Sequence, residues 1–247
     1  MTFRTARTAV LWALLVHLSI RLRLLAEIGE IVHRNPSKTR GARSYLIDAM
    51  SSFGGIPLDM NRAKADFVVS SANKCIQGVP GFGFILAKRS AIAATAGWSR
   101  TLSLDVCAQW KGLEANGQFR FTPPTHSLLA FRQALTELDQ EGGVAARYKR
   151  YSENQRIIAR GFKDMGFSLL LDDAVQGPII TSVYYPKSER FKFDDFYNKL
   201  YNRGIVIYPG KVAQADCFRI GSIGHLFPDD MRLLLSHVKE IKAEMAF

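Results

Sequence analysis

An α/β fold is predicted for this chain of 247 residues, and three observations predict it. Short apolar or β-branched runs end in acids or small polar residues. Longer stretches carry apolar side chains at helical spacing. The two kinds alternate from Ser44 to the C-terminus, without internal repeats or low-complexity tracts. A hydrophobic share of 47% in a chain this long can bury a sizeable core, as one large domain or two small ones.

Taken in order, Ala9–Ile20 is an apolar run between Arg4 and Arg7 on one side and Arg21 and Arg23 on the other. It is short for a spanning helix, which needs about twenty residues, and no small-x-small cleavage site follows it. It reads either as an ordinary buried helix or as a segment foreign to the fold that follows. Leu25–His33 has apolar residues at helical spacing. Strands are predicted at Ser44–Asp48, Asp66–Ser70 and Phe82–Ala87. A short helix is predicted over Ala91–Ala96, then a loop over Gly97–Asp105. Ser127–Gln140 is helical by period, and Gly142-Gly143 ends it. Val144–Met165 is a long charged amphipathic helix, and the domain boundary is placed near Gly142. Then follow a strand at Pro178–Tyr185, a helix at Phe193–Asn202, strands at Gly204–Tyr208 and Cys217–Ile220, and a last helix at Pro228–Met245.

The charge is +11, from 33 basic and 22 acidic residues. Such a balance can signal nucleic acid. Here the basic residues are dispersed, apart from clusters at Arg4–Arg23 and Arg147–Arg150, and no nucleic-acid motif accompanies them. Neither a nucleic-acid partner nor a membrane is expected. Cys75, Cys107 and Cys217 lie far apart with no CxxC pair, which argues against structural zinc and against a disulfide framework. No metal is expected, and a reduced cytoplasmic setting fits.

The stretch with most chemistry is Asp66–Phe84. A buried-strand pattern runs into Ser71-Ala72-Asn73-Lys74 and then into a Gly/Pro turn at Gly78, Pro80, Gly81 and Gly83. Such a turn can hold one side chain at the carboxyl edge of a sheet, where open α/β folds place their ligands. Lys74 is that side chain: either a solvated loop lysine, the commoner fate, or an amine able to form a Schiff base with an aldehyde cofactor. Asp48 ends the preceding strand. It reads either as a turn cap or as the acid that keeps a pyridine nitrogen protonated. An acid and a lysine on successive strand ends suit a cofactor lying across both.

DAMSSFGGIPLD (from Asp48) and SSANKCIQGVPGFGF (from Ser70) resemble the class V aminotransferases, fold-type I enzymes that use pyridoxal 5'-phosphate. The resemblance continues through AGWSRTLSLD, RFTPPTH, QEGGVAARY, VIYPGK and QADCFRIGSIG, and so covers most of Leu25–Phe247. It implies the C-terminal part of that fold: residues 25–141 as the remainder of a large cofactor-binding domain and 142–247 as a small α/β domain. Residues 1–24 do not match. The family's glycine turn for the cofactor phosphate, its stacked aromatic ring and its His-Cys-Glu-Thr-Thr-Thr-Gly segment have no counterpart before Asp48. A truncated copy is therefore expected.

By the same resemblance Lys74 and Asp48 are catalytic and hold the cofactor. Asn73 and Thr122 would contact its phosphate, Thr122 across a homodimer interface, and Met50 would pack beneath its ring. Arg219 would grip the substrate carboxylate or phosphonate. From the residues alone, Thr122 or Thr125 caps a helix, Asn73 serves a turn, Met50 is core and Arg219 joins a structural ion pair. The implied reaction passes the amino group of 2-aminoethylphosphonate to pyruvate, giving phosphonoacetaldehyde and L-alanine. Other readings stay open: an alanine–glyoxylate or serine–pyruvate type of class V aminotransferase, or an inactive chain that serves only as a dimerisation partner.

Overall fold

The computed structural model describes residues 11–14 (backbone only), 22–35, 43–208 and 215–247. They fall into two compact units, one ending at Glu137 and the other holding Leu138–Phe247.

The first unit is built on a four-stranded sheet in the order β1-β2-β3-β4. These strands are β1 (Leu11–Leu14), β2 (Tyr45–Asp48), β3 (Phe67–Ser71) and β4 (Gly83–Ala87). The first three run parallel, and β4 returns antiparallel to β3. Period-2 burial explains β2 and β3. Tyr45 and Ile47, then Val68 and Ser70, face inward, while the residues between them are half-buried. The apolar run near the N-terminus gives a strand at Leu11–Leu14 instead of the helix its composition allowed. A short apolar run without period fits either element, and pairing with β2 decides it. The rest of that run, residues 9–10 and 15–20, lies outside the described residues.

α1 (Leu22–Arg34) packs Leu25, Gly29 and Val32 inward. α2 (Arg89–Ala93) lies where a short helix was expected, shifted by two residues at its start. α3 (Val106–Asn116) was not expected. Its apolar period is weak, yet both its ends are marked. The Asp105 carboxylate accepts from Ala108 N–H at 2.9 Å, and Gly117 adopts the left-handed conformation, φ 71°, that closes a helix. α4 (Thr125–Glu141) follows the Pro123-Pro124 step, and its Phe131 ring meets Phe82 and Phe84 at 5.3 and 5.5 Å.

The second unit places α5 (Gly143–Asp164), α6 (Phe193–Tyr201) and α7 (Pro228–Met245) around a two-stranded antiparallel sheet of β5 (Ile180–Tyr184) and β6 (Cys217–Gly221). Its core centres on Phe162, Val183, Phe196, Phe218, Val238 and Ile241. α7 begins where the sequence indicates. Pro228 opens it, Asp230 Oδ2 accepts from Phe227 N–H at 2.7 Å, and two aspartates occupy the positive end of the helix dipole. The strand expected at Gly204–Tyr208 is reduced to one bridge, Tyr208 with Arg219, because residues 205–207 join no ladder.

α5 presents polar side chains at 147, 150, 151 and 154, one stripe by helical spacing. Arg150 donates to the carbonyls of Gly224 and Leu226 at 2.8 and 2.7 Å. Asn154 donates to Leu226 O at 2.9 Å, and Tyr151 Oη accepts from Gly224 N–H at 3.2 Å. Glu141 bridges Arg150 and the 2% exposed Arg147, each at 2.8 Å. Burial alone would raise the Glu141 pKa, but hydrogen bonds and charge from the two guanidiniums outweigh it and hold the carboxyl low.

Candidate active site

β2 and β3 lie side by side in parallel, with Asp48 opposite Val69. Their carboxyl ends therefore share one sheet edge, and Asp48, Val69 and Ser71 project from the same face. Asp48 is half-buried, and its Oδ1 accepts from Met50 N–H at 2.9 Å. That bond is the turn cap its residue type allows, and it occupies one of the two oxygens.

Past Ser71 the chain turns. Gln77 N–H bonds Lys74 O at 2.9 Å and Gly78 N–H bonds Ala72 O at 2.8 Å. A Cβ on Gly78 would stand 2.7 Å from Ala72 O, so only glycine closes the turn this tightly. Buried Cys75 donates its thiol proton to Ser51 O at 3.0 Å and ties the residue after Lys74 to the exit from β2. Lys74 and Asn73 are both exposed. The backbone beneath Lys74 is thus fixed, while its ammonium-bearing arm stands in solvent.

Met50 is half-buried, and its Cε lies 3.9 Å from where a Cβ on Gly83 would sit. Gly83 pairs with Ser71. Met50, Asp48, Asn73 and Lys74 thus gather at one edge of the sheet. Thr122 does not join them by chain or ladder. It is exposed in a loop, Gly117–Pro123, that lines an open cavity of about 990 Å³. Arg120 Nη1 braces that loop on Leu102 O at 3.2 Å. Thr122 lies three residues ahead of the helix that starts at Thr125. Arg219 sits on β6 in the second unit, where its Nε is buried with no hydrogen-bond partner among the described residues. The close ion pairs of that unit among the described residues fall elsewhere, at Glu141, Asp173, Asp229 and Glu244.

Sequence reasoning missed Ser71. Its Oγ is buried at the Asp48 edge with no hydrogen-bond partner among the described residues. An orphaned hydroxyl costs free energy unless a ligand meets it. The sequence signal available was Ser71's place, third before Lys74 on a strand of alternating burial.

A parallel strand pair ending in an acid and a lysine-bearing turn, beside an antiparallel closing strand, is a sheet edge of the kind at which open α/β folds bind ligands. The model of the family "Aminotransferase class-V" matches residues 22–220, and the chain belongs to that family. It is 51% identical over 214 residues to a 2-aminoethylphosphonate–pyruvate transaminase of Salmonella typhimurium, a match that covers 86% of this chain and 57% of that protein. The chain thus spans little more than half the length of the curated relatives it matches. Among solved structures, pyridoxamine–pyruvate aminotransferase from Mesorhizobium loti superposes with TM-score 0.77 at 23% identity, over 90% of this chain and 56% of that one. Ureidoglycine–glyoxylate aminotransferase from Bacillus subtilis gives 0.75 at 22%, over 90% and 57%. Those two likenesses speak to the fold.

Proposed function

We propose that this chain carries the lysine, the acid and the anion-binding arginine of a pyridoxal-phosphate transaminase that moves the amino group of 2-aminoethylphosphonate to pyruvate. The observation that carries the reading is the in-register β2–β3 pair, which ends in Asp48 on one strand and the Lys74 turn on the next. The residues at that edge fit pyridoxal phosphate. A primary amine, a carboxylate with one oxygen engaged and an orphaned buried hydroxyl at Ser71 stand together. When bound, pyridoxal phosphate supplies an aldehyde for the substrate amine and a ring that withdraws electrons.

The chain's own residues do the rest. Lys74 Nζ would hold the cofactor and would serve as the base that takes a proton from the amine-bearing carbon of the substrate and as the acid that returns one. Its exposed arm suits both tasks. Asp48 keeps a proton on the ring nitrogen by charge and hydrogen bonding. Asn73 and Ser71 offer donors to the phosphate, and Met50 supports the ring. Arg219 holds the substrate anion through a charge-assisted fork. Specificity for the phosphonate rests on the 51% identity to the named relative.

A homodimer completes the reading, with Thr122 meeting the cofactor phosphate of a second copy. Exposed Trp98, Leu102, Leu104, Phe119 and Phe121 on the first unit support an apolar interface there. The division at Gly142, with 25–141 holding the cofactor and 142–247 as the small domain, belongs to the same proposal. The cytoplasm is the compartment that three buried cysteines outside any disulfide support. Among the described residues no helix is long and apolar enough to cross a membrane.

The test is chemical. The chain is incubated with pyridoxal phosphate, reduced with borohydride and digested. The pyridoxyl label is expected on the peptide carrying Lys74, and L-alanine formed from 2-aminoethylphosphonate and pyruvate should vanish in Lys74→Ala. A label found mainly on another lysine overturns the assignment.

A further inference from the structure

Arg219 does not stand alone on its sheet face. In β5–β6 the rungs Tyr185 N–H to Asp216 O (2.9 Å) and Ser222 N–H to Ile179 O (3.0 Å) set the phase of the ladder. By that phase Ser182 and Arg219, which are register partners, form a pair without mutual backbone bonds. Such pairs bring their side chains closest together. On the other side of β6, Tyr208 and Arg219 exchange both backbone bonds, at 3.0 and 3.2 Å. Directly opposed residues of antiparallel strands share a face. Ser182, Arg219 and Tyr208 therefore form one row across three chain segments, on the face opposite the core residues Val183 and Phe218. The Tyr208 ring lies along this face, its Cε2 3.7 Å from where a Cβ on Gly221 would sit.

Two features of the row point to a ligand. The Arg219 Nε is buried without a partner among the described residues, and an arginine donor kept from water is costly unless an anion meets it. Ser182 is 4% exposed, so water reaches its side chain little. A guanidinium fork engages two oxygens of an anion. A carboxylate is then satisfied, but a tetrahedral oxyanion has a third oxygen left over. Ser182 and Tyr208, the register partners of Arg219 on its two sides, each carry a hydroxyl that can donate to it.

We propose that Ser182 and Tyr208 act with Arg219 as a three-donor seat for tetrahedral oxyanions, phosphonates first among them, and that the two hydroxyls set the preference over carboxylates. This deepens the proposed function and rests on the reading of Arg219 as an anion-binding residue.

The experiment titrates the full chain by calorimetry with 2-aminoethylphosphonate and, separately, pyruvate. Ser182→Ala and Tyr208→Phe are each expected to raise Kd for the phosphonate about ten-fold or more, the loss expected for one charge-assisted bond, and to change Kd for pyruvate by no more than about two-fold. Ser182→Thr keeps the hydroxyl and should keep phosphonate affinity, which separates recognition from damage to the sheet. Arg219→Ala should weaken both ligands. Equal losses for both ligands in the hydroxyl variants, or no loss in either variant while Arg219→Ala still weakens binding, overturns the three-donor seat and leaves the Arg219 role intact. Unchanged binding in Arg219→Ala, or no saturable binding of either anion by the unaltered chain, overturns the Arg219 role and the seat with it.

Discussion

Tyr45, at the start of β2, is 0% exposed, and its hydroxyl has no hydrogen-bond partner among the described residues. Burial pushes its pKa up to about 12 from 10. In the unfolded chain the phenol ionises near 10, whereas in the folded chain it stays protonated. The folded state thus holds more protons between those values, and stability falls as pH rises from 10 towards 12, by on the order of 2 kcal/mol. Tyr45→Phe should remove this alkaline loss and match or exceed the parent at neutral pH, because it deletes an orphaned hydroxyl while keeping the ring. Urea midpoints at pH 7 and pH 10.5 check it; a variant as alkali-sensitive as the parent refutes the assignment. Nothing in the sequence tells that the Tyr45 or Ser71 hydroxyl is orphaned, since whether a strand hydroxyl finds a partner depends on what faces it. Lys74 and Asp48 were readable because turn and strand punctuation around them is local. The exposure of Lys74 agrees with the solvated-loop reading, which the sequence left beside the other because solvent access depends on everything packed nearby.

Elements show the same division between local and distant causes. The bounds of α7 follow from a proline, two acids and an apolar period within its own length. α3 lacked the period and was overlooked despite its capped ends. Residues 205–207 have strand composition, but a strand needs a partner in register, and only Tyr208 finds one. α1 gives a prediction of this kind. Gly29 sits inside it, and replacing a mid-helix glycine with alanine ordinarily stabilises by about 1 kcal/mol. Here the new Cβ would lie 2.3 Å from Ala63 O and 3.1 Å from Lys64 Cβ. A backbone carbonyl cannot swing aside as a side-chain tip can. Gly29→Ala should therefore lower stability by about 1–3 kcal/mol, through displacement of α1, as read from the urea midpoint. A rise in midpoint would show that the close approach yields.

At the scale of the molecule, each copy carries a formal charge of +11 while the first unit exposes Leu102 at 71% and Leu104 at 74%. In the proposed homodimer two such copies would attract through apolar area and repel through charge. Salt screens the second term and leaves the first. The dimer fraction measured by light scattering should accordingly rise between low and moderate ionic strength. Leu104→Glu should shift the chain to monomer at any salt; a monomer under all conditions, or a dimer indifferent to Leu104→Glu, would remove this face as the interface. One feature of the second unit acts in time as well as in energy. The Arg150 guanidinium joins carbonyls 74 and 76 positions away in the chain, so its grip needs α5 and the turn between β6 and α7 to have come together. Contacts that close last are absent from the folding barrier and must break before the molecule opens. Arg150 is expected to act as a latch: Arg150→Ala should speed unfolding in stopped-flow measurements while leaving the folding rate near the parent's, and a slowed folding limb would refute it.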